Sequence, residues 1–236
     1  MIRTLAFVFL VTMCSCRHKD RAENALDQAE RLAEEGKYQE ALEKHIWYHN
    51  HALEINEAQY GFRLSFALAD WAELGKKYPP ALKALRGIRD EKTSQLLTGR
   101  VAKDLFVDVR SINNYLGESQ ATVELFKKIG DTQPEFAASI YDVADKELIE
   151  AEEYALAKKY LGDPNTRFNT AKAIFDRGKP FGDTHRRQAY ERIFTDKIVR
   201  IITVLEKTGD RNEARGIQLK ALLVLESSVI RDAIKN

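Results

Sequence analysis

The chain has 236 residues, 44% of them apolar, and its 37 basic and 36 acidic side chains leave a formal net charge of +1. That is enough apolar material for a sizeable core, and a charge so close to zero excludes a general polyanion binder and gives no reason to expect nucleic acid as a partner. Five prolines and twelve glycines leave long tracts of Ala, Leu, Glu and Lys uninterrupted, and helix propensity then favours an all-α chain.

Residues 1–16 differ from the rest. Arg3 gives a positive start, Thr4 to Met13 form an apolar run of ten, and Cys14 and Cys16 close it. This is the pattern of an export signal, and the run is about half of what a membrane-spanning helix needs. A cysteine directly after such a run resembles the bacterial lipoprotein signal, whose cysteine is acylated and becomes the new N-terminus after cleavage. The resemblance places acylation at Cys16, after the small Ser15, with Cys14 as the alternative. It implies a cell-envelope protein anchored by lipid and facing the periplasm. Plain secretion and a cytoplasmic chain with an apolar N-terminus are the other readings. These are the two cysteines of the chain, so a product starting at Cys16 has no thiol for a disulfide or for catalysis. It would carry 36 basic and 36 acidic residues, since the removed segment holds one charge, Arg3.

A polar linker, residues 17–21, leads into a helical domain expected over 22–236. Ala25, Ala29 and Leu32 recur at helical spacing, Glu35-Gly36-Lys37 breaks the pattern, and Tyr38, Ala41, Leu42, His45 and Ile46 resume it: a helical hairpin. The same punctuation returns downstream. Gly36, Gly117 and Gly209 are each followed five residues later by a small residue, Ala41, Thr122 and Ala214. Gly75 is followed after six by Ala81, and Glu152 after five by Ala157. The glycine should end one helix at positive φ, and the small residue should let the next helix approach closely. Tyr38, Tyr78 and Tyr154 stand three residues before their small residue, where a ring can pack across the hairpin. Leu32, Trp71, Leu148 and Leu205 stand four before their break, with Asn113 the exception. Pro134 should end the helix that follows Gly117. An additional helix is expected over Arg167 to Arg177, then a Gly178–Gly182 turn, a long helix over Arg187 to Leu205, and a largely apolar closing helix from Glu213 to Ile234.

The G-K-Y-Q-E-A-L run from Gly36 to Leu42 resembles the turn of the tetratricopeptide repeat, and weaker versions stand at Gly75 and Glu152. The small residues at 41, 81, 122, 157 and 214 are spaced by 40, 41, 35 and 57, against about 34 in that family. The resemblance implies an all-α superhelix, a solenoid of about five hairpins with irregular repeat length; a non-repeat helical bundle is the alternative. It also implies a protein or peptide partner held in a groove lined by the first helix of each pair. On this chain the groove positions fall near Phe62, Ser65, Ser111, Asn114, Asp142 and Lys146.

Other constellations point elsewhere. His45 and His49 share a helix face at a spacing that binds zinc or copper when a third ligand is near; packed, hydrogen-bonded histidines are the plainer reading. Trp47, Tyr48, Tyr60, Phe62, Phe66, Trp71 and Tyr78 could form a platform for sugar or peptide, or simply a core. Asp145, Glu147, Glu150, Glu152 and Glu153 read as a solvated face, and His185-Arg186-Arg187 as a basic patch at a helix start. No G-x-S-x-G elbow, phosphate-cradling glycine loop or Cys/His metal set occurs. The expectation is therefore a non-catalytic scaffold without cofactor. The alternatives are a metal- or ligand-binding helical protein using His45, His49 and the aromatic residues, and a structural repeat that dimerises through its apolar end.

Overall fold

The computed structural model describes residues 21–178 and 183–234. The signal segment with Cys14 and Cys16 lies outside them, as do linker residues 17–20 and most of the Gly178–Gly182 turn. The described residues are helical, with no strand among them, and no helix among them is long and apolar enough to cross a membrane. In chain order the helices are α1 (21–34), α2 (Tyr38–Ile55), α3 (Tyr60–Arg63), α4 (Phe66–Lys77), α5 (Pro79–Leu97), α6 (Lys103–Leu116), α7 (Ser119–Thr132), α8 (Pro134–Glu150), α9 (Tyr154–Leu161), α10 (Pro164–Gly178), α11 (Thr184–Lys207), α12 (Arg211–Leu222) and α13 (Ser228–Arg231). They fall into two compact units, Met1–Ala121 and Thr122–Asn236.

Five helix ends share one stop, that of α5 at Gly99 among them: φ there is +100° and Arg100 donates to Gln95 at 3.1 Å, with no buried small residue five positions on. At the other four, Gly36, Gly117 and Gly209 take φ of +75°, +71° and +90°, and Glu152 takes +59°. In each case the next amide donates to a carbonyl five residues back: Lys37 to Leu32, Glu118 to Asn113, Glu153 to Leu148 and Asp210 to Leu205, at 2.8 to 2.9 Å. This Schellman closure satisfies carbonyls that the helix would otherwise leave open. It also explains why Asn113 can stand where leucines stand elsewhere, because the recurring requirement there is the backbone acceptor. Five residues after each of these four stops Ala41, Thr122, Ala157 and Ala214 are fully buried, as is Ala81.

Gly75 departs from the expectation. It lies within α4, which continues to Lys77 and ends where Tyr78 turns extended ahead of Pro79, as a residue before proline tends to do. Its use is close approach: a Cβ at Gly75 would stand 2.4 Å from Leu82 Cδ2.

In the first unit Ala41 and Leu42 of α2, Leu68, Trp71 and Leu74 of α4, Ala81 and Leu85 of α5 and Ile112 of α6 form one apolar core. Trp71 is anchored in it by a bond from Nε1 to the Ala81 carbonyl, 3.0 Å. Tyr38 and Tyr78 stack with centroids 6.1 Å apart. A second cluster joins Ala22 and Ala25 of α1 to Tyr48 and Ala52 of α2 and Ala67 of α4. Between α2 and α4 the chain makes a short turn, Glu57–Gln59, and then α3; the turn starts at Asn56, whose side-chain oxygen accepts from the Ala58 amide.

In the second unit Phe126 of α7 packs edge-on against Tyr141 of α8 and Tyr160 of α9, and α11 packs against α8, α9, α10 and α12. Pro134 occupies the first turn of α8, the stop expected of it. The closing segment differs from the single helix expected. α12 ends at Leu222, and a new start follows because Ser227 turns extended and its hydroxyl accepts from the Ile230 amide, as an N-cap does. Gln218 holds the short α13 back onto α12 by donating to the carbonyls of Ile230 and Arg231, 3.0 and 2.8 Å. Ile217, Ala221 and Ile230 are buried, whereas Leu219, Leu223 and Val229 are exposed.

Candidate functional site

The four-residue spacing puts His45 and His49 on the buried face of α2, 4% and 5% exposed. His45 stacks on Trp71, with centroids 5.7 Å apart, and its Nδ1 makes no hydrogen bond among the described residues. His49 Nε2 accepts from Arg63 Nη1 at 3.0 Å. Arg63 in turn binds Asp108 at 2.5 Å, and Lys92 reaches the second oxygen of that carboxylate at 2.7 Å. Burial holds both imidazoles down to a pKa of about 4, and at His49 the Arg63 charge adds to it. Both rings are therefore neutral near pH 7. Among the described residues no group of three His, Cys, Asp or Glu side chains is placed to hold a metal. His51 points elsewhere and pairs with Glu54 at 3.0 Å. Arg63, Lys92 and Asp108 lie outside the constellations that spacing suggests, because each is distant in sequence from its partners.

The aromatic residues divide. Tyr48 and Trp71 are core; Tyr48 donates its hydroxyl to Gln59, and Tyr78 to Gln39, at 2.8 and 2.7 Å. Trp47 lies under Arg21 and beside His51. Tyr60, Phe62 and Phe66 are exposed, the last two with rings 5.2 Å apart. The acidic run is less solvated than its composition suggests: Asp145 and Glu147 are buried, Glu153 accepts from Lys127 at 2.6 Å, and Glu152 forms the α8 turn. At the start of α11 the Asp183 carboxylate accepts from the His185 amide, 2.9 Å, so a carboxylate already stands where a phosphate would bind.

The expected groove positions have mixed surroundings. Phe62 is exposed, and Ser65 donates its hydroxyl to the Gly61 carbonyl at 2.7 Å. Ser111 is buried, and Asn114 accepts from Ser119 at 3.1 Å. Asp142 and Lys146 are exposed on one face of α8.

In the second unit that face borders a cleft of about 460 Å³ between α8, α10 and α11, within the size range of binding pockets. Its floor is apolar, formed by Leu161, Ala171, Ile174 and Ile201, and its rim carries Asp142, Asp163, Lys197 and Arg200. Two arginines build the walls. Arg200 donates to Asp145 at 2.6 Å. Arg167 lies 4.5 Å over the Tyr141 ring and donates to the carbonyls of Leu161 and Tyr160, capping the end of α9. Asp163 accepts from the Thr166 hydroxyl and amide, which hold its carboxyl below the usual range. Lys197 makes no hydrogen bond or ion pair among the described residues. The cleft thus offers an apolar floor, fixed polar walls and one uncommitted ammonium. α10 supplies one side of it, and that helix is the extra element seen in the widest interval between small residues.

What the described residues define is an all-helical protein with no strand among them. Among known proteins, neither a family model nor a curated relative matches this chain.

Proposed function

We propose that this chain is an exported scaffold of tetratricopeptide-like hairpins, lipid-anchored at Cys16, that holds a protein or peptide partner in the cell envelope without catalysing a reaction. The observation that carries the reading is the recurring stop: of five Schellman turns among the described residues, four are followed five residues later by a fully buried small residue, the turn at Gly99 being the exception. Such repetition is what a superhelix of stacked pairs needs, since each pair must present the same close-approach face to the next. The cleft beside Asp142 and Lys146 supports a binding role on the first-helix face. An extended segment laid there would bury apolar side chains on Ile174 and Ile201 and offer a carbonyl or carboxylate to Lys197.

A photo-crosslinking residue placed at Asp142 or Lys146, and for comparison at the exposed Leu219, tests this in envelope preparations. A discrete adduct from the α8 positions and none from Leu219 is expected. Equal labelling from all three, or none, would remove the groove reading.

A further inference from the structure

Among the described residues of the first unit, all but one of the exposed large apolar side chains sit at one end of it. Tyr60, Phe62, Phe66, Leu97 and Val101 are 36%, 42%, 65%, 40% and 65% exposed; the exception is Tyr115. Several contacts place them together. Ala67, next to Phe66, packs on Ala22 and Ala25 at the start of α1 and on Ala52 near the end of α2. Arg63 of α3 meets Lys92 of α5 and Asp108 of α6 through the Asp108 carboxylate. The Tyr60 phenol is pushed up first by burial and then by the neighbouring Asp104 of the first turn of α6. The start of α1, the end of α2, α3, the start of α4, the end of α5 and the start of α6 therefore share one end, and the aromatic and aliphatic side chains project from it.

That end is also where the chain enters from Cys16. Arg21 lies five positions after Cys16, a reach of at most about 18 Å when fully extended. An acyl chain on Cys16 would hold this end within that distance of the bilayer, where Phe and Tyr rings and the Val101 side chain can enter the headgroup region. Charge does not decide the contact. Arg100 and Lys103 flank Val101, while Glu57 and Asp104 stand nearby, so the end is close to neutral and apolar insertion is the attraction. We infer that this end of the first unit is a lipid-facing surface that lies against the bilayer beside the anchor, through Phe62, Phe66, Leu97 and Val101; the inference rests on the proposal that Cys16 is acylated.

The test uses the processed chain, 16–236, in which Cys16 is the single thiol. It is coupled through that thiol to maleimide lipid in phosphatidylcholine vesicles and compared by hydrogen exchange with the same chain, thiol capped, in solution. Exchange should slow several-fold within residues 57–66 and 97–104 on vesicles, at low and high salt alike. A Phe62→Ser, Phe66→Ser, Val101→Ser variant should lose that protection while melting at the wild-type temperature. Uniform exchange, or protection confined to α12 and α13, overturns the inference. So does a solution dimer that the triple variant abolishes, since the surface would then belong to a second copy. The mass of the N-terminal peptide from a bacterial host expressing the full chain tests the anchor separately. Local protection without acylation keeps the lipid-facing surface and removes the acyl tether, and acylation without protection does the reverse.

Discussion

Glu152 holds a left-handed conformation, φ +59°, that costs a residue with a Cβ about 1 kcal/mol or more. It stands where Gly36, Gly117 and Gly209 stand in the other turns, and the turn keeps its hydrogen bonds in spite of the side chain. Glu152→Gly should therefore stabilise the chain by about 0.5–1 kcal/mol, after the extra entropy of glycine in the unfolded state is counted; a lower midpoint in urea denaturation would refute it. The buried histidines make a second prediction. Their pKa of about 4 in the fold lies below the ordinary 6.5, so below pH 6.5 the unfolded chain binds more protons than the folded one. Stability should be full above that pH, fall as pH drops from 6.5, and level off below about 4. At pH 5 the loss is about 2 kcal/mol per histidine. His45→Leu should roughly halve this dependence, which urea midpoints measured from pH 8 to pH 4 would show.

At the scale of elements, the breaks at Gly36, Gly117 and Gly209 were readable because a glycine before a small residue and a resumed apolar period is a local signal. Glu152 was readable from its interval alone. Gly75 was not, since a glycine that admits a neighbour and a glycine that turns the chain look alike in sequence. Its role follows from Leu82, seven residues on and across the hairpin. Gly75→Ala should destabilise by about 1–3 kcal/mol through overpacking, and Leu82→Ala in the same chain should recover part of that loss. Two losses that simply add would show that the two residues do not share a contact. The His49, Arg63, Lys92 and Asp108 network escaped reading for a related reason: Arg63 and Asp108 are 45 residues apart, and no period connects α3 to α6. The cleft escaped too. Asp142 was identified by its place on a first helix, but Lys197 and Arg200 became its neighbours only when α10 and α11 folded beside α8.

At the scale of the whole molecule, the question is what the apolar chain end does. As one helix from Glu213 to Ile234 it would carry apolar residues around much of its circumference and would call for a partner. The break after Leu222 changes that, because it returns Ile230 to the core while Gln218 ties the two pieces together. What stays outside is Leu219, Leu223 and Val229, 58%, 89% and 58% exposed. Three side chains fall far short of the about 800 Å² per partner that a stable interface covers. The chain end should therefore not hold a dimer by itself. Sedimentation at micromolar concentration should give the monomer mass for the processed chain, and Leu219→Ser with Leu223→Ser should leave that mass and the melting temperature nearly unchanged. A dimer that falls apart on these two substitutions would instead make the repeat a structural module closed by self-association, and the partner of the second unit would be another copy of this chain.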